Sequence, residues 1–221
     1  MKESNMEIEG MREFFAARVR EYDDHMLNSV EGCREGYIKM AQLLPESAQK
    51  ILDLGCGTGL ELDEIFKKLP KVKVTGIDLT PEMLNVLKLK HFDKDLTLIN
   101  ENYFNYDLGV NEYDAVISFQ TMHHYLKEDK IGLYNKIKRA LKWGGIYIEC
   151  DYMAADIEEE RAKIKEYLMI KKQMGISDEM LYHIDIPYSV ESQINMLEAA
   201  GFKSPELKFK KGNTAIIVGY K

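Results

Sequence analysis

The feature that most constrains this chain is an apolar run that ends in an acid and continues into closely spaced glycines. It reads ILDLGCGTGLEL over residues 51–62, with Gly55, Gly57 and Gly59 at alternate positions. Glycine reaches backbone angles that other residues avoid, and it lets a ligand approach the main chain closely. A plain turn between a strand and a helix needs fewer glycines. The stretch therefore predicts a buried strand, a tight turn against a ligand, and a helix.

Apolar segments of strand length recur along the chain, and amphipathic segments separate them. The predicted strands cover residues 50–54, 72–78, 96–100, 113–119 and 145–152. The predicted helices cover residues 10–30, 33–44, 59–69, 80–90 and 128–142. Strands that are almost entirely apolar and alternate with helices are typical of a parallel sheet covered on both faces.

The alternation stops after residue 152. A long helix is predicted to end near Gly175, and an irregular segment then leads to another helix over residues 189–200. Two strands flank Gly212 and Asn213, a pair of residues typical of a β-hairpin turn. The last part of the chain therefore predicts a helix followed by two antiparallel strands.

The composition suits one soluble globular domain. Of the 221 residues, 45% are hydrophobic and 30% are charged. No apolar run approaches the roughly 20 residues that span a bilayer, and the start, MKESNMEIEG, lacks the pattern of a secretory signal. The three cysteines, Cys33, Cys56 and Cys150, are widely spaced. We therefore expect a cytoplasmic protein without disulfides or membrane contact.

The charge balance bears on the partner. The chain has 37 acidic and 30 basic residues, a net charge of −7. A protein that binds nucleic acid usually has a basic stripe that meets the phosphates, whereas the densest basic runs here, KLKHFDK and KFKK, are short. We expect a small-molecule partner and no nucleic acid. The sequence leaves open whether the protein is a monomer or a homodimer.

A second acid, Asp78, ends the second predicted strand. In sheets that bind nucleosides, an acid at this point hydrogen-bonds the ribose hydroxyls. The glycine spacing is GxGxG rather than the GxGxxG that seats a pyrophosphate on a helix N-terminus. The two features together predict a ligand with an adenosine-like group.

Five segments together resemble the motifs of class I S-adenosylmethionine-dependent methyltransferases. They are ILDLGCGTGLEL, VTGIDLTPEML, NENYFNYD, YDAVISFQTMHHY and LKWGGIYIECD. The final helix and hairpin match the family as well. The resemblance implies an α/β fold with a doubly wound, seven-stranded, Rossmann-like sheet, in which the strand order is 3-2-1-4-5-7-6 and strand 7 is antiparallel.

The resemblance also implies a single domain over residues 1–221. Its parts are a helical N-terminal lid (1–44), a cofactor-binding core (45–152), a helical substrate-lid insert (153–188) and a C-terminal helix with a β-hairpin (189–221). The implied activity is methyl transfer from S-adenosylmethionine to a small molecule (EC 2.1.1.-), with S-adenosylhomocysteine as product. The transfer is an in-line displacement that depends mainly on positioning.

The resemblance assigns cofactor contacts residue by residue. The glycines make room for the methionine part, Asp53 helps to hold its amino group, and Asp78 binds both ribose hydroxyls. Asn102 stands where the family usually has an aspartate, and its side-chain oxygen can still accept from the adenine amine. The expected cofactor residues are Tyr22, Asp53, Gly55, Cys56, Gly57, Thr58, Gly59, Asp78, Leu79, Asn102, Tyr103, Phe119 and Gln120.

Candidates for the acceptor side lie just past strands four and five. His123 and His124 follow strand four, where a histidine can act as general base, and His124 is the preferred candidate. We expect no metal at this pair, because the side chains of adjacent residues point apart. Asp151 and Tyr152 follow strand five and are expected to face the acceptor, together with Tyr182 from the insert.

Other functions remain open at this point. Methylation of RNA or protein is the nearest alternative, although the acidic balance and the absence of an NPPY-type motif count against it. A domain that binds the cofactor without catalysis is a second alternative. An NAD-dependent dehydrogenase is the least favoured, since it calls for GxGxxG after the first strand and no terminal hairpin. The acceptor cannot be read from the motifs, which describe only the cofactor half of the site.

Overall fold

The computed structural model describes residues 9–175 and 181–221. Most of the start expected to be frayed, and part of the irregular segment after Gly175, lie outside the described residues. The described strands form one sheet in the order β3-β2-β1-β4-β5-β7-β6, as the sequence predicts. They are β1 Lys50–Leu54, β2 Lys73–Asp78, β3 Leu96–Asn100, β4 Tyr113–Phe119, β5 Leu141–Tyr152, β6 Lys203–Lys211 and β7 Thr214–Tyr220.

Strands β1 to β5 are parallel, and β7 pairs antiparallel with both β5 and β6. The helices are α1 Met11–Arg18, α2 Tyr22–Asn28, α3 Cys33–Leu43, α4 Leu60–Lys68, α5 Pro81–Lys90, α6 Lys127–Ala140, α7 Ile157–Met174 and α8 Val190–Ala199. A single 3₁₀ turn spans Met122–His124. Within the described ranges, no helix has the length and apolar character needed to cross a bilayer.

Helix ends follow local chemistry. The side chain of Asp156 accepts hydrogen bonds from the backbone N–H groups of Glu158 and Glu159 at the start of α7, and Gly175 ends that helix with a φ of +59°. Ser189 caps α8 in the same way as Asp156 caps α7. These caps satisfy backbone groups that the helix itself leaves without partners.

The sheet separates two hydrophobic cores. Helices α3 and α4 pack on one face, where Tyr37, Met40 and Ile65 are buried. Helices α6 and α8 cover the opposite face around Tyr134 and Leu197. The central strands are buried on both faces, which explains why their sequences are continuous apolar runs. The carboxyl ends of β1, β2 and β4 therefore meet at one edge of a rigid scaffold.

The predicted first helix is wrong in one respect. Instead of one helix over residues 10–30, the chain forms α1 and α2, separated by a turn at residues 19–21. Val19 keeps right-handed helical angles, and Glu21 lies close to them. The amphipathic spacing therefore continues across the turn, and periodicity alone cannot reveal it. Both α2, through Met26, and α3, through Tyr37 and Met40, contribute to the core, so the division of residues 1–44 as a lid stays a prediction.

Candidate active site

The glycine loop lies at the carboxyl end of β1, as predicted. Gly55 has a φ of +71°, and a Cβ there would lie 2.6 Å from the hydroxyl oxygen of Thr121. Gly57 has a φ of +46°, and the nearest group in front of it is the ring of Tyr22, 3.8 Å from where a Cβ would be. Glycine is thus required at Gly55 by both backbone angle and space.

Asp78 anchors this loop to the end of β2. One carboxylate oxygen accepts from the backbone N–H of Gly57 at 2.9 Å, and the other accepts from the N–H of Thr80 at 2.8 Å. Burial raises the pKa of Asp78, although these two hydrogen bonds act in the opposite direction. Each carboxylate oxygen can accept a further hydrogen bond, which suits a pair of vicinal hydroxyls.

The remaining wall of this first cavity, which we call the cofactor cavity, holds most of the expected cofactor residues. Leu79, Asn102 and Tyr103 line it on one side, and Phe119 and Gln120 line it at the end of β4. The side-chain oxygen of Asn102 also accepts from the N–H of Phe104 at 2.9 Å. It keeps one free lone pair, so its predicted contact with adenine stays a prediction.

Four expected cofactor residues do not line the cofactor cavity. Cys56 is buried against Gly76, and Gly59 begins α4, where a Cβ would lie 2.3 Å from Leu87. Thr58 is buried and donates a short hydrogen bond to Asp23 of α2. The fourth, Asp53, is fully buried beneath the loop. In this closed arrangement the four residues lie behind the loop, and their expected contacts with the cofactor stay predictions.

Asp53 forms a buried acid pair with Glu61, the second residue of α4. Burial raises the pKa of Asp53, and the neighbouring Glu61 raises it further. Burial also raises the pKa of Glu61, to about 7, against the hydrogen bond from Asp53 and the attraction of Lys90. Burial therefore favours the protonated form of both groups, and their ionisations are linked. The sequence gives no sign of this pair, because Glu61 resembles any acidic residue in the first turn of a helix.

Helices α1 and α2 close over the cofactor cavity. Met11, Phe15 and Tyr22 line it, and burial, followed by the charges of Glu61 and Asp78, raises the pKa of Tyr22. In this arrangement the cofactor cavity measures about 50 Å³, well below the roughly 300 Å³ of the smallest ligand pockets. A nucleoside ligand can therefore enter only when these helices move aside.

A second cavity of about 910 Å³ adjoins the first, and we call it the acceptor cavity. Both histidines that follow β4 line it, together with Tyr152 and Gln120. Four residues line both cavities, namely Phe15, Tyr22, Gln120 and His124. The two cavities therefore meet beside His124, the preferred catalytic residue of the sequence analysis.

The two histidines are held differently. Nδ1 of His123 lies 2.6 Å from the carboxylate of Asp151. Burial lowers the pKa of His123, but Asp151 outweighs this and raises it overall. Nδ1 of His124 lies 3.1 Å from the carbonyl oxygen of Ile184. Burial, together with His123 and His183, holds the pKa of His124 well below its usual range.

Three expectations for the acceptor side are wrong. Asp151 is buried behind His123 and hydrogen-bonds it, so it does not face the acceptor cavity. The rings of His123 and His124 do not point apart, because the 3₁₀ turn brings their centroids to 4.0 Å. Tyr152 lines the cavity as expected, whereas Tyr182 is absent from its wall and instead bridges to Gly10.

The structure adds residues that the sequence did not indicate. Asp185 lies in the acceptor cavity beside both histidines, and Asn213 and Thr214 of the hairpin turn form its far wall. Thr121 and Tyr125 line the cofactor cavity. Both lie within the motif YDAVISFQTMHHY, although the sequence analysis assigned them no contact. Asp185 and Thr214 belong to no motif and reach the site through tertiary packing.

The N-terminal segment and the insert are joined. The N–H of Met11 donates to the carbonyl of Leu181 at 2.8 Å, and the N–H of His183 donates to the carbonyl of Glu9 at 3.2 Å. Antiparallel backbone pairing of this kind holds two segments in fixed register. Residues 9–11 and 181–183 therefore form one continuous cover over both cavities.

The residues of the cofactor cavity fit a nucleoside with a charged amino-acid tail. Asp78 offers paired acceptors, and the loop of Gly55 and Gly57 presents bare backbone. Fold and site together define a class I methyltransferase. Residues 51–145 match the family described as Methyltransferase domain, and the chain belongs to the class I S-adenosylmethionine-dependent methyltransferases. Its cofactor is S-adenosylmethionine.

The names of its relatives describe different reactions. A protein from Nautilia profundicola named carboxy-S-adenosyl-L-methionine synthase is 31% identical over 98% of this chain and 97% of its own. One of the same name from Campylobacter lari is 28% identical, over 97% of this chain and 96% of its own. Human N-acetylserotonin methyltransferase in complex with SAM shares the fold with a TM-score of 0.63 at 18% identity, over 94% of this chain and 55% of that one.

Proposed function

We propose that this protein transfers the methyl group of S-adenosylmethionine to a small molecule bound in the acceptor cavity. The observation that carries the proposal is the wall shared by Phe15, Tyr22, Gln120 and His124, where the two cavities meet. A reacting methyl group at this junction lies between the cofactor and anything bound on the other side. The acceptor cavity of about 910 Å³ has the size of a small-molecule site.

The cofactor, when bound, supplies a methyl group made electrophilic by its sulfonium. The residues of this chain then hold and orient the cofactor and the acceptor. Asp78 binds the ribose hydroxyls, and the glycine loop admits the amino-acid tail. Tyr22 and Phe15 keep water from the junction, which prevents loss of the methyl group to hydrolysis. His124 faces the acceptor, where a histidine can hold the acceptor's heteroatom or accept its proton.

The charges around the acceptor cavity bear on the acceptor. Its wall contains Glu21, Glu31 and Asp185, and Arg18 is the one lysine or arginine among the described residues that line it. Arg18 is already paired with Glu9 at 2.7 Å and stacked on Phe14. This balance favours a neutral or cationic acceptor over a polyanion. It also counts against RNA, whose phosphates need several free cations.

A second candidate reaction is the formation of carboxy-S-adenosylmethionine, which the names of the relatives support. Such a product carries a carboxylate on the carbon next to the sulfonium. A buried carboxylate needs a cation or several N–H donors around it. Among the described residues, none that lines the cofactor cavity is a lysine or arginine, and Arg18 is engaged elsewhere. This charge pattern favours methyl transfer as the first candidate.

The class of cofactor can be tested by calorimetric titration of the purified protein with S-adenosylmethionine and, separately, with NAD. We expect dissociation in the micromolar range for the first and no binding of the second. No binding of S-adenosylmethionine would contradict the proposed function. Micromolar binding of NAD would favour the dehydrogenase alternative.

The two reactions are separated by mass spectrometry of the nucleosides that copurify with the protein and of those formed in turnover. Methyl transfer yields S-adenosylhomocysteine and an acceptor heavier by one methyl group. Carboxy-S-adenosylmethionine synthesis yields a cofactor heavier by one carboxyl group. Binding without either product, across a broad panel of amine, phenol, thiol and hydroxyl acceptors, would favour a domain that binds the cofactor without catalysis.

A further inference from the structure

The acceptor cavity contains a cluster of metal-binding side chains that methyl transfer by positioning does not require. One ligand atom each from His123, His124 and Asp185 lies within 4.8 Å of the others. Both histidines are buried, and the side chain of Asp185 is 42% exposed towards the cavity. The three residues come from two separate segments, the 3₁₀ turn after β4 and the end of the insert.

The distances within this cluster are too long for hydrogen bonds. Oδ1 of Asp185 lies 3.6 Å from Nε2 of His123. It also lies 3.4 Å from Nδ1 of His124, but that nitrogen donates its proton to the carbonyl oxygen of Ile184, so His124 can bind an ion only through Nε2. Hydrogen bonds between such atoms are about 2.7–3.2 Å long. Ligand atoms around a tetrahedral Zn²⁺ at about 2.0–2.1 Å lie roughly 3.3 Å apart. The distance between Nε2 of His123 and Oδ1 of Asp185 therefore matches one edge of a metal coordination polyhedron.

The carboxylate oxygen between the histidines lacks any other partner. Oδ1 of Asp185 is buried and makes no hydrogen bond to the described residues. Leaving a carboxylate oxygen buried and unpaired is costly. A cation bound between this oxygen and the two imidazoles would remove that cost.

A supporting hydrogen bond orients one imidazole for this role. Nδ1 of His123 lies 2.6 Å from Asp151, which is itself buried. A proton on Nδ1 leaves the lone pair on Nε2, the nitrogen that faces Asp185. A carboxylate that accepts from the far nitrogen of a metal-binding histidine is the usual second layer of a metal site.

We propose that His123, His124 and Asp185 bind a divalent transition-metal ion of the Zn²⁺ type at the floor of the acceptor cavity. Two imidazoles and one carboxylate are the donor set that zinc and related ions prefer, and three protein ligands leave a coordination position open. All three residues line the acceptor cavity, next to the wall that His124 shares with the cofactor cavity.

The role of the ion rests on the proposed function. At the open position it would bind the acceptor through an oxygen, nitrogen or sulfur atom, and the proton lost on binding would pass to solvent. The metal-bound heteroatom forms a bond to the methyl carbon as the bond from that carbon to sulfur breaks. The electron pair of the broken bond stays on sulfur, which gives neutral S-adenosylhomocysteine. The acceptor class is therefore a small molecule with a hydroxyl, amine or thiol.

The test is metal binding, measured without turnover. The full chain is stripped with a chelator and titrated with ZnCl₂ by calorimetry. We expect one ion per chain with micromolar or tighter affinity. Asp185→Asn and His123→Gln should weaken binding by at least about 100-fold, and Asp151→Asn by about 10- to 100-fold. His25→Gln is the matched control, because His25 lines the same cavity outside the cluster, and it should leave binding unchanged.

Cobalt gives a second readout. Co²⁺ bound by imidazole and carboxylate should show weak visible bands without the intense near-ultraviolet band of a thiolate ligand. Wild-type protein that binds no zinc, zinc binding unchanged by Asp185→Asn, or a thiolate band with cobalt would each overturn the proposal. Circular dichroism checks that the variants fold. Titration of Asp185→Asn with S-adenosylmethionine should match wild type, so a failure of the metal site is distinguished from a failure of the proposed function.

Discussion

Phe14 and His183 stack face to face, with their ring centroids 3.5 Å apart and their planes inclined by 10°. Phe14 belongs to α1, and His183 belongs to the insert on the other side of the acceptor cavity. The stack lies beside the backbone hydrogen bonds that join the two segments. It therefore ties the movement of the N-terminal helices to the movement of the insert.

Phe14→Ala should strengthen binding of S-adenosylmethionine although Phe14 does not line the cofactor cavity, because the stack stabilises the closed arrangement in which that cavity is too small for a nucleoside. Aromatic pairs contribute about 0.5–1.5 kcal/mol beyond their buried area, so we expect the dissociation constant to fall by roughly 3- to 10-fold. Calorimetric titration measures this change. Phe92→Ala is the control, because Phe92 is 84% exposed and far from the cover. Equal affinities in the two variants would show that the stack plays no part in closure.

Asp78→Asn should nearly abolish cofactor binding while the protein stays folded. The amide keeps one oxygen for the backbone of the glycine loop but loses the charge that two ribose hydroxyls would meet. Hydrogen bonds to charged groups contribute about 1.5–3 kcal/mol each, which corresponds to a loss of at least about 100-fold in affinity. Asp95→Asn, at an exposed position, should bind like wild type. If Asp78→Asn bound S-adenosylmethionine with wild-type affinity, Asp78 would not contact the cofactor.

His124→Ala should reduce kcat more than it reduces affinity for the cofactor. The imidazole lies where the two cavities meet, so its loss removes a group that binds or deprotonates the acceptor. We expect kcat to fall by at least about 100-fold, with the S-adenosylmethionine dissociation constant within a few-fold of wild type. His25→Ala, on the wall of the same cavity, should keep normal turnover. An unchanged kcat in His124→Ala with the true acceptor would exclude a direct role.

Gly59→Ala should destabilise the fold, and Gly132→Ala should stabilise it. Gly59 has a φ of +76°, and its Cβ would lie 2.3 Å from Leu87, so we expect a loss of about 2–4 kcal/mol. Gly132 lies inside α6 with no atom near its Cβ position, and alanine there should add about 0.5–1 kcal/mol. Urea unfolding of both variants measures the free energies. Equal and small effects would contradict the described loop.

Glu61→Gln should change how stability depends on pH. The pKa of Glu61 rises from 4.5 in the unfolded chain to about 7 in the folded one. The folded state therefore holds a proton that the unfolded state releases, and this stabilisation is complete below about pH 4.5 and lost as pH rises through about 7. Glutamine cannot titrate. The Tm of Glu61→Gln minus the Tm of wild type should therefore increase as the pH rises from about 5 to about 8.

The neighbours of Glu61 sharpen this expectation. Burial and Glu61 raise the pKa of Asp53, so Asp53 changes stability with pH in the same direction. Lys90 of α5 lowers the pKa of Glu61, whereas Asp63 of α4 raises it. Asp53→Asn should show the same trend as Glu61→Gln. A Tm difference that stays constant across the pH range would mean that the pair does not titrate there.

The cofactor half of the site could be predicted from the sequence because its chemistry is encoded locally. The glycine spacing and the acid that ends β2 are each read from adjacent residues, the alternation of strands and helices predicts a parallel sheet, and the resemblance to the family implies the strand order. The acceptor half could not be predicted in the same way. Asp185 lies beside His123 and His124 only because of how the insert folds back over the sheet edge, and no pattern in the local sequence indicates that contact.

Other errors have a common physical origin. Asp151 was expected in the acceptor cavity because it lies at the carboxyl end of β5, but it is buried and hydrogen-bonds His123 instead. The turn between α1 and α2 keeps near-helical backbone angles, so it leaves the hydrophobic pattern intact. In each case tertiary contacts decide between conformations that the local sequence permits equally.

The paired segments at residues 9–11 and 181–183 have a consequence for the order of events in a catalytic cycle. While they are joined, the acceptor cavity of about 910 Å³ is accessible, whereas the cofactor cavity is reduced to about 50 Å³. Acceptor and product can thus exchange with the cover shut, but the nucleoside cannot. We expect an ordered sequence in which S-adenosylmethionine arrives first, the modified product departs next, and S-adenosylhomocysteine leaves last.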